Sequence, residues 1–268
     1  MTDVRLTAEM SWMLVGVAEA PSHLWVRGKA PSLPGVAIVG TRRCTEYGRS
    51  IARVLGHAVA TAGWPVISGL ARGIDAAAHV GTLDGGGDGF AVLGSGVDVI
   101  YPAENRGLAD RLLEHSGGLI SEYPPGTPPA PFRFPARNRI IAGLSRAVVV
   151  VEAAVTGGAL ITARLALDQG KEVLAVPGDI VRTTSEGCNL LIRDGAHPVL
   201  SAKDLIESLE LILGKSPRGS LPEPVASGAS LLEEILEKAD RPVGAVLAEV
   251  MKEELARRVQ SRDAPEQR

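Results

Sequence analysis

The feature that most constrains this chain is an alternation. Short runs of Val, Ile, Leu and Ala, most ending in Gly, Ser or Glu, are each followed by a stretch whose apolar residues recur at helical spacing. That pattern is the signature of βαβ units closing on a parallel sheet. It predicts strands over 36–39, 66–68, 90–93, 119–121, 147–152, 172–176 and, more weakly patterned, 198–200. Helices are predicted over 47–62, 74–83, 105–115, 160–169 and 202–213. Hydrophobic residues make up 45% of the chain but aromatic residues only 3%. The core is therefore built from aliphatic side chains, which favours a parallel α/β sheet over a β-sandwich.

At 268 residues the chain has room for one large α/β domain and a small appendage. Residues 1–35 are read as an N-terminal extension and 36–213 as the main domain. The Pro/Gly/Ser-rich stretch 214–230 reads as a flexible linker, and 231–268 as a short helical segment with helices over 231–239 and 243–259. Some 40 residues is near the lower limit for an independent core. The segment 123–135 holds six prolines and is expected to be a surface loop leading into Arg137.

Two distant cysteines, Cys44 and Cys188, and no apolar signal segment point to a reducing, cytoplasmic location without a disulfide framework. The apolar runs fall short of the ~20 residues that span a bilayer, so no membrane role is expected. A formal net charge of −3 argues against general nucleic-acid affinity, and confines any such site to a local patch.

Three strand-to-helix turns are rich in small residues. Gly40-Thr41-Arg42-Arg43 follows the first predicted strand, and Ser68-Gly69-Leu70-Ala71-Arg72-Gly73 the second. Glycines there let backbone amides approach a phosphate, and a helix N-terminus adds favourable dipoles; for the Gly40 segment an ordinary tight turn with solvated arginines fits equally well. Thr156-Gly157-Gly158-Ala159 repeats the design after Glu152. Asp75 and His79, one helical turn apart, suit an acid/base pair less well than a capping Asp and a hydrogen-bonded structural His. From 124 to 151 there are four arginines, Arg133, Arg137, Arg139 and Arg146, no acidic residue, and two of the chain's three phenylalanines, Phe132 and Phe134. Arginines that hold phosphates beside rings that stack bases are what single-strand binding needs; taken alone, rings anchoring the proline loop would account for the segment better.

Other chemistries find little footing. No G-x-G-x-x-G joins a strand to a helix, and neither a P-loop nor a G-x-S-x-G elbow occurs. The five histidines and two cysteines lack ligand spacing, so neither metal nor cofactor is expected, and Cys188 reads as a packing residue.

Several segments together resemble the DNA-processing protein A (DprA/Smf) family over about 24–206. They are Gly40-Thr41-Arg42, Tyr47-Gly48, Ser68-Gly69-Leu70-Ala71-x-Gly73-Ile74-Asp75-x-x-Ala78-His79 and Leu93-Gly94-x-Gly96-x-Asp98-x-Ile100-Tyr101-Pro102. Downstream stand Ser121-Glu122-Tyr123-Pro124, Phe134-Pro135-x-Arg137-Asn138-Arg139-Ile140-Ile141, Pro177-Gly178 and Gly187-Cys188-Asn189-x-Leu191-Ile192. The resemblance implies an extended Rossmann-like, doubly wound, mostly parallel sheet that binds single-stranded DNA, dimerises, and loads the RecA recombinase in transformation or recombination, without catalysis. It implies DNA contacts at Gly40, Thr41 and Arg42, at Ser68 and Gly69, and from Phe134 through Arg137, Asn138 and Arg139. Arg43, Arg72 and Arg133 are added on charge, and Gly157 and Gly158 on their turn.

Where the family has Ser-Gly-Ser, this chain has Gly157-Gly158-Ala159 and lacks two hydroxyls. A helical N-terminal domain is expected to be absent, and the C-terminal winged-helix-like region shortened. Two other readings stay open. One is a Rossmann-like hydrolase of nucleoside monophosphates, resembled by Glu152 with Gly157-Gly158 although the order is reversed; the other is a degenerate paralogue that dimerises without passing DNA to RecA.

Overall fold

The computed structural model describes residues 4–217. The predicted helices over 231–239 and 243–259, and most of the 214–230 linker, lie outside them. In chain order the elements are β1 (Val4–Thr7), β2 (Leu24–Gly28), β3 (Gly35–Val39), α1 (Glu46–Thr61), β4 (Val66–Ser68), α2 (Ile74–Asp84), β5 (Gly89–Leu93) and α3 (Arg106–Glu114). There follow β6 (Gly118–Ser121), α4 (Arg133–Gly143), β7 (Ser145–Val150), α5 (Gly158–Asp168), β8 (Glu172–Ala175), α6 (Thr183–Arg193), β9 (His197–Pro198) and α7 (Ala202–Leu213).

One sheet takes the order β1-β2-β6-β5-β4-β3-β7-β8-β9. From β6 to β9 every pairing is parallel, while β2 runs antiparallel to β6 and β1 antiparallel to β2. Buried on both faces, the central strands divide their side chains between two layers. In β3, Ala37 and Val39 face the helices α4, α5 and α6, whereas Val36 and Ile38 face α1 and α7; β7 splits likewise at Val148/Val150 and Ala147/Val149. Each fully buried Val or Ile contributes roughly 1.5–3 kcal/mol, which is how a chain nearly without rings holds a large sheet. The sheet is thus doubly wound, the form that the family resemblance implies, and mostly parallel, as the alternating pattern predicts.

Local chemistry sets the helix starts. Thr45 caps α1 by accepting from the Gly48 amide at 3.0 Å, and Ser201 caps α7 by accepting from Asp204 at 3.0 Å. Asp204 in turn accepts from the Leu200 amide at 2.8 Å, completing a reciprocal cap.

Four elements escape the sequence pattern. The first 35 residues are more than an extension, since β1 and β2 complete one side of the sheet. The proline-rich segment does not stay a loop up to Arg137, because α4 begins at Arg133 and takes Pro135 into its first turn. A first-turn proline lacks only an amide that would have no partner in the helix. Helix α6 was hidden by Gly187, Cys188 and Asn189, poor helix formers that here are held by burial of Gly187 and Cys188.

Candidate nucleic-acid interface

At β3 the chain order reverses: β4 lies on one side of it and β7 on the other. Connections leaving β3 and β7 therefore part, opening a crevice at the carboxyl ends of the strands, the position where open α/β sheets take ligands. A cleft of about 370 Å³ lies there, bordered by the turns at Gly40–Arg43 and Gly157–Gly158 and by Phe134, Arg137 and Asn138 of α4.

The Gly40 turn is held from below. The Thr41 amide donates to the Glu152 carbonyl at 2.7 Å, and the Thr41 carbonyl accepts from Ile74 at 3.3 Å. The buried Glu152 carboxylate accepts from the Thr45 amide at 2.9 Å and the Thr45 hydroxyl at 2.6 Å. A side chain on Gly48 would collide with that carboxylate. Above these ties Arg42 and Arg43 are exposed. Neither has an ion-pair partner among the described residues, and the Arg42 guanidinium lies 5.0 Å over the Phe134 ring.

The second turn is organised around a buried pair. Ser68 donates to the Ile38 carbonyl at 2.7 Å and lies beneath the site rather than in it. Asp75 accepts from the amides of Gly69 and Ala71 at 3.1 and 3.4 Å, so it caps the turn rather than its own helix. Arg137, also buried, approaches Asp75 at 3.9 Å and donates to the Val92 carbonyl. Its guanidinium fills the space above Gly69, where any Cβ would overlap it. Burial pulls Arg137 down to about 10, against the opposing pull of Asp75, and pushes the Asp75 carboxyl up. Arg137 remains charged at neutral pH and forms the floor of the cleft.

His79 is buried one turn along, and neither ring nitrogen meets a hydrogen-bonding partner among the described residues, contrary to the expected hydrogen-bonded histidine. Burial, reinforced by Arg137, lowers it from 6.5 to about 3. The unfolded chain, with an ordinary value, takes up a proton below about pH 6.5 that the folded chain refuses. Stability from this group is complete above that pH and falls by roughly 1.4 kcal/mol per unit on acidification towards the folded value. Urea unfolding at pH 7 and pH 5 should show this loss, and His79→Leu should flatten it; equal pH slopes for both proteins would acquit His79.

A third turn opens α5, whose N-cap Gly157 makes no side-chain bond, while Gly158 is exposed with open space beside it. Asn138 donates to the Gly158 carbonyl at 3.4 Å, a long bond linking α4 to this turn. Glu152 is spoken for by Thr45, so its carboxylate is not presented to the cleft as a free base.

Aromatic groups edge the β5 and β6 side. Phe134 meets Tyr101 at 5.4 Å between centroids. Arg133 donates to the Pro128 carbonyl and packs 4.8 Å from the Tyr123 ring and 5.4 Å from the Phe132 ring. Phe132 is 70% exposed and Tyr101 42%, so neither is spent on the core. Tyr101 was missed as a site residue because its motif shows a turn and not which way the ring faces.

Of the arginines taken from the acid-free run, only Arg137 lines the cleft, while Arg133 is held outside it on the Pro128 carbonyl. Arg139 is bonded instead to the Glu19 carbonyl at 3.0 Å and to Glu122 at 2.5 Å. Arg146 stands near the start of β7, at the opposite end of the sheet from the cleft. Arg72 reaches the rim but is paired with Glu104 at 2.5 Å. Buried Cys188, pushed up to about 12 chiefly by burial, is a packing thiol. Among the described residues no cluster of three His, Cys, Asp or Glu could hold a metal ion, and no helix is long and apolar enough to cross a membrane.

Fold and cleft together define a Rossmann-like α/β protein with a basic, aromatic-edged cleft at its switch point. The chain belongs to the DNA recombination-mediator protein A family, whose profile matches residues 5–210. It is 38% identical to protein Smf of Escherichia coli K12 over 263 residues, 91% of this chain and 70% of that protein. The X-ray structure of DNA processing protein A from Streptococcus pneumoniae superposes with a TM-score of 0.70 at 38% identity, covering 76% of this chain and 74% of that one. DNA processing protein A from Helicobacter pylori, a structure reported for its single-stranded DNA binding mode, gives a TM-score of 0.70 at 27% identity and covers 78% and 98%.

Proposed function

We propose that this protein binds single-stranded DNA across the carboxyl ends of β7, β3, β4 and β5, and acts by binding rather than by catalysis. The observation that carries the reading is one placement: Arg42 and Arg43, both without an ion-pair partner among the described residues, stand with the Phe134 and Tyr101 rings beside glycine-rich turns. Phosphates meet guanidinium groups and turn amides, and bases stack on the rings at ~1–3 kcal/mol each. Engagement of both Glu152 oxygens by Thr45 speaks against the hydrolytic reading. The single-stranded DNA binding mode described for the Helicobacter pylori relative supports the choice of ligand. The same reading makes the protein a cytoplasmic homodimer that hands its strand to the RecA recombinase, as the resemblance to the family implies.

Anisotropy titration of labelled single-stranded and duplex oligonucleotides tests it. Two unpaired arginines, Arg42 and Arg43, predict a slope of log K against log[salt] of about −1.4, from about −0.7 per neutralised phosphate, and tighter binding of the single strand. Salt-independent affinity, or preference for duplex, would sink the reading.

A further inference from the structure

Arg72 stands on the cleft rim beside Tyr101 and Pro102, yet its guanidinium is already occupied. Nε and a terminal nitrogen donate to the two carboxylate oxygens of Glu104 at 2.5 and 2.7 Å. Two parallel N–H···O bonds are also the arrangement in which arginine grips a phosphate. Glu104 thus fills the place a backbone phosphate would take on this arginine.

The two segments that meet here are fastened to each other. Glu104 belongs to a single 3-10 turn, Ala103–Asn105, and Asn105 donates from Nδ2 to the Leu70 carbonyl at 2.9 Å. Leu70 is fully buried in the left-handed region at φ 56°, a strained state that persists only where its surroundings fix it. That bond ties the turn presenting Glu104 to the loop presenting Arg72. Both partners are more than half exposed, and a pair so exposed adds little to folding. Its consequence falls on binding instead. Arg72 also holds the Glu104 carboxyl below the usual range, so the pair is ionised at neutral pH.

We propose that Glu104 is a built-in competitor that withholds Arg72 from the DNA strand, keeping the grip of the site below what its arginines could deliver. This rests on the single-strand reading above. A protein that passes its strand onward gains from such restraint, because each added phosphate contact slows release.

The test titrates the full chain with labelled oligothymidylate at several salt concentrations, comparing wild type with Glu104→Gln, Arg72→Ala, the double variant and Arg42→Ala. Glu104→Gln should bind ~5- to 10-fold tighter at low salt, with a slope steeper by about 0.7 for one added phosphate. Arg72→Ala alone should stay within about twofold of wild type, because an arginine held by Glu104 neutralises no phosphate, and in the double variant it should erase the gain. If Glu104→Gln binds no tighter, or if Arg72→Ala weakens wild type as much as Arg42→Ala does, the competitor role is overturned. Should Arg42→Ala bind like wild type, the site itself is misplaced and the inference falls with it. Loss in Arg42→Ala with no gain in Glu104→Gln removes the competitor alone.

Discussion

Arg137→Ala is expected to lower the unfolding free energy by about 3–5 kcal/mol, the range for breaking a buried charge pair from one side. The substitution would leave Asp75 buried without its cation and the Val92 carbonyl without its donor. It would also empty the volume above Gly69, a position that has no side chain of its own to fill it. Urea denaturation followed by circular dichroism measures the effect. A loss under about 1 kcal/mol would mean that Asp75 is neutral in the fold and needs no partner, since protonation would cancel the pairing. DNA binding by this variant should be read only under conditions where it is folded.

Arg42→Ala should leave the thermal midpoint unchanged and weaken single-strand binding by ~10- to 100-fold, the range for loss of a charge-assisted hydrogen bond. Two effects combine. One phosphate contact disappears, which should flatten the salt slope by about 0.7, and Phe134 loses the guanidinium that lies over it at 5.0 Å. Arg139→Ala provides the contrast. Its side chain is engaged with Glu19 and Glu122, so affinity near wild type is expected there, and equal losses in both variants would contradict the placement of the strand.

The layered α/β architecture was legible because it is written locally. Each buried strand is a short aliphatic run, and the strand-to-helix turns at Gly40, Gly69 and Gly157 each carry their own glycine. What escaped was non-local. The stretch 124–151 contains no carboxylate, which made four arginines look free. Folding brings Asp75 to Arg137 and Glu122 to Arg139, and the neighbouring turn brings Glu104 to Arg72. Sequence spacing cannot show such neutralisation, since the partner of Arg137 lies on another helix. Helix α4 was obscured for a different reason: prolines signal a break in the interior of a helix but are tolerated in its first turn, and only the position of the helix start tells the two apart.

The borders of an open sheet decide how one molecule can meet another. An open strand offers unpaired amides and carbonyls onto which a foreign strand can add. Here one border is β9, two residues long and including Pro198, which has no amide hydrogen to give, and the other is the four-residue β1. Neither is a good template for continuing the sheet into a second molecule. A second molecule meeting this one would therefore do so through side-chain surfaces rather than by extending the sheet.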